Sequence, residues 1–261
     1  MKKTGLSMLF LVYILTNGIC QNAKEIIIKS RENSKVDGFE SVSTLTIIDN
    51  KGNERIRKTT MASRTFENGK VEKRIIKFIS PADVKGTGLL IYDYDDKADD
   101  MWIYMPSVRK SRRIVSNERG NNFMGSEFSN DDMSSPNIND FSFTLLNNEN
   151  LNGTECFKIE AIPVNTEISE NLGLSKKIIY IAKSDYIPRK TIIYDLDGEL
   201  LKTITVENVQ LLDAQKKKYM VTKMTVVNNQ NGRKSVMNMD QLKYNPAVPE
   251  KYFTVSYLET N

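Results

Sequence analysis

A mainly β fold, one antiparallel meander curled into a barrel or a strongly curved sheet and preceded by a helix, is what this 261-residue sequence predicts. Three observations predict it. About a dozen strand-like runs follow one another, turn signals separate them at regular intervals, and several runs are apolar on both faces. No internal repeat, low-complexity stretch or linker divides the chain, so residues 21–261 are expected to form a single domain after a leader.

The leader is residues 1–20. Lys2 and Lys3 precede an apolar run from Gly5 to Ile19, which has the form of a secretory signal peptide and is too short to span a bilayer. Cleavage after Cys20 is expected, leaving Gln21 first. Acylation of Cys20 is disfavoured because Asn17-Gly18-Ile19 lacks the small residue that usually stands just before a lipidated cysteine. Cys156 is then the one remaining cysteine and is read as a small buried apolar residue of a strand.

Asn22 to Val36 places Ala23, Ile26, Ile27 and Ser30 near one face of a helix that Gly38 should end. The expected strands are 39–48, 55–66, 71–79, 88–94, 101–105, 141–146, 156–162, 176–182, 189–195, 200–211, 219–228 and 234–244. Asn50-Lys51-Gly52-Asn53, Glu67-Asn68-Gly69-Lys70, Asp95-Asp96-Lys97, Asn152-Gly153, Asp197-Gly198 and Asn231-Gly232 supply the turns.

Alternation within the strands gives the first functional hint. Met101, Ile103 and Met105 point one way and Trp102 and Tyr104 the other, while Ile178 and Tyr180 oppose Ile179 and Ile181. Both faces must therefore be covered. One explanation is an ordinary core on one side with helices or loops on the other; the second is a concave apolar cavity for an alkyl ligand. Nine of the 11 methionines lie beyond the leader, and flexible thioethers suit either a repacking surface or core filling.

Composition excludes several function classes. The chain has no histidine, so a Ser-His-Asp or Cys-His nucleophile system and a histidine metal site cannot be built. Lys and Arg total 37 against 33 for Asp and Glu; without Lys2 and Lys3 the net charge falls from +4 to +2, which does not favour nucleic acid. No cofactor is expected. Asp95-Asp96, Asp99-Asp100 and Asp131-Asp132 offer carboxylates for a glycosidase-like hydrolase, but neighbouring strand residues point to opposite faces and acidic turns are usually solvated.

Residues 78–133 differ from the rest, with prolines, glycines, paired arginines and aromatics bunched together. Ser80 to Gly86 interrupts the meander as a turn or short helix. Arg109, Lys110, Arg112 and Arg113 form a cationic group that could hold a carboxylate or phosphate, or pair internally with Glu127, Asp131 and Asp132. Phe123-Met124-Gly125-Ser126-Glu127-Phe128 reads as an apolar loop bent at its glycine.

Ser80-Pro81-Ala82-Asp83-Val84-Lys85-Gly86-Thr87-Gly88, Trp102-Ile103-Tyr104-Met105-Pro106, the arginines from Arg109 to Arg113 and Phe123 to Phe128 together resemble the outer-membrane lipoprotein-sorting proteins, relatives of the periplasmic lipoprotein carriers of the Lol system. Glu127 stands where that family usually has aspartate, and Asn130 where an aromatic is common. The resemblance implies a highly curved antiparallel sheet forming an incomplete, half-open barrel closed by helices. It also implies a Gram-negative periplasm and a cavity that shelters acyl chains. The implied partners are a lipid or acylated lipoprotein, a membrane touched peripherally, and an inner-membrane exporter of the resistance-nodulation-division type. An adaptor of such an exporter, carrying no lipid, is the alternative. Candidate lipid-contacting residues are Ile76, Phe78, Trp102, Tyr104, Met220, Met224, Met237 and Met239. Candidates for partner or headgroup contact are Lys85, Arg109, Arg112, Arg113, Phe123, Met124 and Glu127.

Overall fold

The computed structural model describes residues 22–260; the expected leader and Cys20 lie outside the described residues. Helix α1 (Ala23–Ser34) starts where Asn22 accepts a hydrogen bond from Lys24 N at 3.0 Å, with Glu25 in its first turn and Arg31 in its last. Ala23, Ile26, Ser30 and Asn33, spaced three and four apart, form its buried face. The helix stops at Ser34 rather than at Gly38, which instead opens the first strand.

The strands are β1 (Gly38–Ile48), β2 (Glu54–Phe66), β3 (Val71–Ser80), β4 (Gly88–Tyr94), β5 (Asp100–Met105), β6 (Lys110–Ile114), β7 (Phe141–Leu145), β8 (Glu149–Leu151), β9 (Thr154–Pro163), β10 (Lys176–Ala182), β11 (Pro188–Tyr194), β12 (Leu200–Asp213), β13 (Lys218–Asn228) and β14 (Lys234–Tyr244). Helix α2 (Thr166–Leu172) links β9 to β10, and α3 (Val255–Leu258) lies near the end of the chain. Each of the expected strands is present within two residues of its predicted limits. β6, β8, α2 and α3 were not foreseen, because a charged five-residue run and three short segments carry no clear period.

The hairpins show why the turn signals were legible. Asp49 Oδ1 accepts from Lys51 N and Asn53 N, and Asp195 Oδ1 accepts from Asp197 N and Glu199 N. The Asn53 side chain, donating to Asp49 Oδ2 at 2.8 Å, and then the backbone bonds hold the Asp49 carboxyl below its ordinary range, and the Glu199 backbone bond, then the Gln230 side chain, do the same for Asp195. Gly52 and Gly198 complete the two turns at φ 86° and 82°.

All fourteen strands belong to one antiparallel sheet that does not close, in the order β6-β5-β4-β3-β2-β1-β14-β13-β12-β11-β10-β9-β7, with β8 beside β9. β1 and β14 are its centre; one arm runs outward to β6 and the other to β7. Residues from both arms meet on one face, here called the inner face. Leu45, Ile47, Ile76, Phe78, Leu89, Ile91 and Met101 of the first arm share a core there with Val226 and Met237 of the second. Helix α1 lies over this face of the second arm, packing Ala23 and Ile26 against Ile159 and Ile181. Its Arg31 reaches across to the first arm, bonding Asp93 at 2.8 Å and pairing with Asp95 at 2.9 Å. On the outer face of β2 to β5, a strap formed by residues 246–260 covers Ala62, Ile75, Leu90 and Tyr104 with Val248, Phe253 and Leu258.

Candidate functional site

The chain leaves the sheet at the free edge β6 and re-enters it at the opposite free edge β7, so residues 115–140 must cross the opening. They do so along the inner face. Phe123, Phe128 and Met133 are almost fully buried in the core shared by the two arms, with Met124 packed against it. The chain's own segment thus fills the apolar interior. Among the described residues an apolar groove of about 290 Å³ lies instead on the outer face, where Val42, Ala62 and Ile75 run toward Tyr252 and Tyr257.

Charged anchors hold this plug at its margins. Arg119 donates to Asp131 through Nε at 3.0 Å and Nη2 at 2.6 Å, and to Asp140 at 3.1 Å. Lys202 Nζ donates to Asp132 at 2.8 Å, Arg233 pairs with Glu127 at 2.8 Å, and Asn228 Nδ2 donates to Glu127 at 3.0 Å. Toward the first arm, Arg57 donates to Met124 O, Arg74 to Met133 O at 2.6 Å, and Ser135 N to Asp93 at 2.8 Å. Asp93 therefore ties the plug and, through Arg31, helix α1 to one strand.

The electrostatics differ between the plug's ends. Burial would raise the Asp132 carboxyl, but Lys202 and Lys177 outweigh it and hold the group down at about 2. Asp99 is the opposite case: burial, then the neighbouring Asp93, raises it to about 7, against weaker opposition from Ser134, Tyr94 N and Arg119. Glu72, which acts on Asp93, stays below its ordinary range, because Arg74 and a 2.6 Å bond from Ser63 overcome its burial. A small polar cavity of about 70 Å³ separates the plug from the second arm and is bordered by Glu127, Asp132, Lys177 and Lys202.

The expected lipid-contacting residues do not share one face. Ile76, Phe78, Met224 and Met237 meet in the inner core, whereas Trp102 and Tyr104 turn outward beneath the strap. Register explains the split: Trp102 lies opposite Leu90 and Leu90 opposite Ile75, so Trp102 aligns with Ile75 rather than Ile76. Met239, opposite Ser43, follows Met237 on the inner side, and Met220 sits further along β13; both are half-buried and outside that core.

The expected contact residues also divide. Lys85 and Arg109 are exposed on turns. Arg112 and Arg113 are exposed on β6 but already paired, with Glu118 at 2.7 Å and with Asp100. Phe123 is core and Glu127 is a buried anchor of the plug, so neither is available at the surface as it was expected to be. Arg31, Asp93 and Lys202 were missed, since their partners lie far off in sequence; Arg74 and Arg119 were missed because their contacts with residues 131–140 follow from the fold and not from a local pattern. Cys156 is fully buried, and burial raises its thiol.

An open antiparallel half-barrel with a helix over its inner face is the fold of the LolA superfamily and of lipoprotein-sorting domains, and this chain has that fold. Residues 70–260 match a family model described as an uncharacterized protein, and the chain belongs to that family. A domain described as an outer membrane lipoprotein-sorting protein from Vibrio parahaemolyticus is 28% identical with a TM-score of 0.83, the match covering 91% of this chain and 98% of that one. A DUF1329 family protein from Desulfovibrio piger is 25% identical with a TM-score of 0.82, over 90% of this chain and 97% of that one. A LolA superfamily protein from Nitrosomonas europaea is 22% identical with a TM-score of 0.69, over 91% of this chain and all of the other, and shares the fold. No curated protein sequence matches the chain. No helix among the described residues is long and apolar enough to cross a membrane.

Proposed function

We propose that this chain is a non-enzymatic periplasmic carrier that shelters the acyl chains of a lipid or acylated lipoprotein against the inner face of its half-barrel. The observation that carries the reading is the plug. A separately anchored segment places Phe123, Met124, Phe128 and Met133 where a hydrocarbon would lie. Burying four such side chains contributes roughly 6–12 kcal/mol, and a chain of about 14 methylenes roughly 11 kcal/mol. Exchanging one for the other is close to balanced, which suits a carrier that must take up cargo and give it away. The lipoprotein-sorting description of the relative from Vibrio parahaemolyticus agrees with this reading.

The test is native mass spectrometry of protein purified from a Gram-negative periplasm, followed by lipid extraction and by uptake of a fluorescent acyl probe. A bound lipid at near-unit stoichiometry is expected. Met224→Asp, on the inner face, should reduce probe uptake at least tenfold, while Asn231→Asp, on an exposed turn, leaves it unchanged. Equal uptake by both variants, or no uptake by the parent, would overturn the carrier. If lipid-free parent protein bound inner-membrane vesicles and Arg109→Glu abolished that binding, the exporter-adaptor reading would replace it.

A further inference from the structure

The inner face carries a row of hydroxyls among its apolar side chains, and they are not equivalent. Ser63 Oγ donates to Glu72 at 2.6 Å and Ser235 Oγ accepts from Glu127 N at 3.0 Å. Ser41 and Ser43 are as deeply buried, at 6% and 0% exposure, yet their hydroxyls make no hydrogen bond among the described residues. Alternation along β1 puts both on the side of Leu45 and Ile47, which belong to the inner core. Register places Ser41 opposite Met61, and Ser43 between Met239 and Thr59. The two hydroxyls therefore sit at the middle of the sheet, where the arms join, bordered by thioethers that can change rotamer without a backbone shift.

A buried hydroxyl without a partner is destabilising, and alanine would fit either position without that cost. We propose that Ser41 and Ser43 form a carbonyl-recognition subsite. When the plug is displaced, they donate to the acyl carbonyl oxygen of the cargo, setting the depth to which its hydrocarbon enters. This rests on the carrier reading and narrows it: the ligand class is an ester- or amide-linked acyl group, and hydrocarbon without the carbonyl is the poorer ligand. No covalent step is involved, since neither hydroxyl has a hydrogen-bond partner among the described residues that could take up its proton.

The experiment compares the parent with S41A/S43A for binding of 1-myristoylglycerol, an N-myristoylated dipeptide amide and 1-O-tetradecylglycerol, which has the same chain without the carbonyl. The parent should bind the ester and amide probes five- to tenfold more tightly than the ether, and the double variant should bind all three alike. Preference for only one carbonyl probe identifies whether a glycerolipid or an acylated polypeptide is the cargo. The free double variant should also melt at a higher temperature than the parent, a readout that a purely structural role for the serines would reverse. A parent that takes up both probe types equally, a double variant that keeps the ester preference, or a double variant that melts lower overturns the subsite alone. A parent that takes up none of the probes overturns the carrier reading itself.

Discussion

Strands β3 to β5 are covered on both faces by other parts of the same chain, and the two covers are built differently. The outer strap is held mainly by apolar packing: Phe253 meets Phe66 edge-on with ring centroids 5.7 Å apart, and Leu258 sits so close to Gly88 that a Cβ there would come within 2.6 Å of it. The inner plug is apolar at its middle and charged at its margins, braced internally by Arg119 and Asp131 and anchored to both arms and, through Arg31 and the Pro136 carbonyl, to α1. Packing holds a segment without regard to the protonation of its side chains, whereas buried ion pairs hold it only while both partners keep their charge. The strap is therefore held as core is held, and the plug by paired charges at its margins as well; on the carrier reading proposed above, the plug is the cover that cargo displaces.

The largest effect should come from the strap. Phe253→Ala is expected to cost up to about 5 kcal/mol in urea unfolding, because it opens a cavity that rigid strands cannot close. A loss below about 1 kcal/mol would erase the contrast between the covers.

Next comes pH. Asp99 has its carboxyl raised to about 7 in the folded protein against an ordinary value of 3.8, so the folded state holds the extra proton between those values. Its contribution is fully present below pH 4 and is lost as pH rises through 7. Asp99→Asn should match the parent near pH 4 and exceed it by roughly 4 kcal/mol at pH 8. Unfolding curves for the two proteins that stay parallel across this range would remove the titrating carboxyl from the inner cover.

The smallest of the three effects is the most diagnostic. Lys202→Met leaves Asp132 buried without its closest cation and should cost about 3 kcal/mol, whereas Lys202→Met with Asp132→Leu should recover most of that loss. No second substitution should rescue Phe253→Ala in this way. Additive losses in the double variant would mean that the plug, too, is held mainly by packing.

How much of this was legible in the sequence follows from the range over which each signal acts. Strand limits came through because period-two alternation and Asp-Gly or Asn-Gly turns are encoded within a few residues; the Asp49 and Asp195 turns show the hydrogen bonds that enforce them. The partition of β5 into a methionine side and an aromatic side was also legible. Which side faces inward was not, because that depends on registry with β4 and β3, and a one-residue change of register exchanges the faces. β6 was read as a cationic group since its pairing partner supplies the evidence for a strand. The plug was seen only as an unusual stretch: Phe123 and Phe128 marked it as apolar, but Lys202 and Arg74, in β12 and β3, and Arg233, in the turn before β14, which hold it, are scattered along the chain.

The order of the strands also bears on how the molecule assembles. The first strand pairs with the last, Phe39 opposite Tyr244, while each arm is a succession of hairpins between near neighbours. Local hairpins form quickly, and contacts between distant parts of a chain form slowly. The two arms can therefore take shape independently, and the seam at β1 and β14 is the late step that makes them one body. Until that seam is made, Ser41, Ser43, Leu45 and Met237 have no common floor to build. The surface that the proposed carrier would offer to cargo is then among the last parts of the chain to exist.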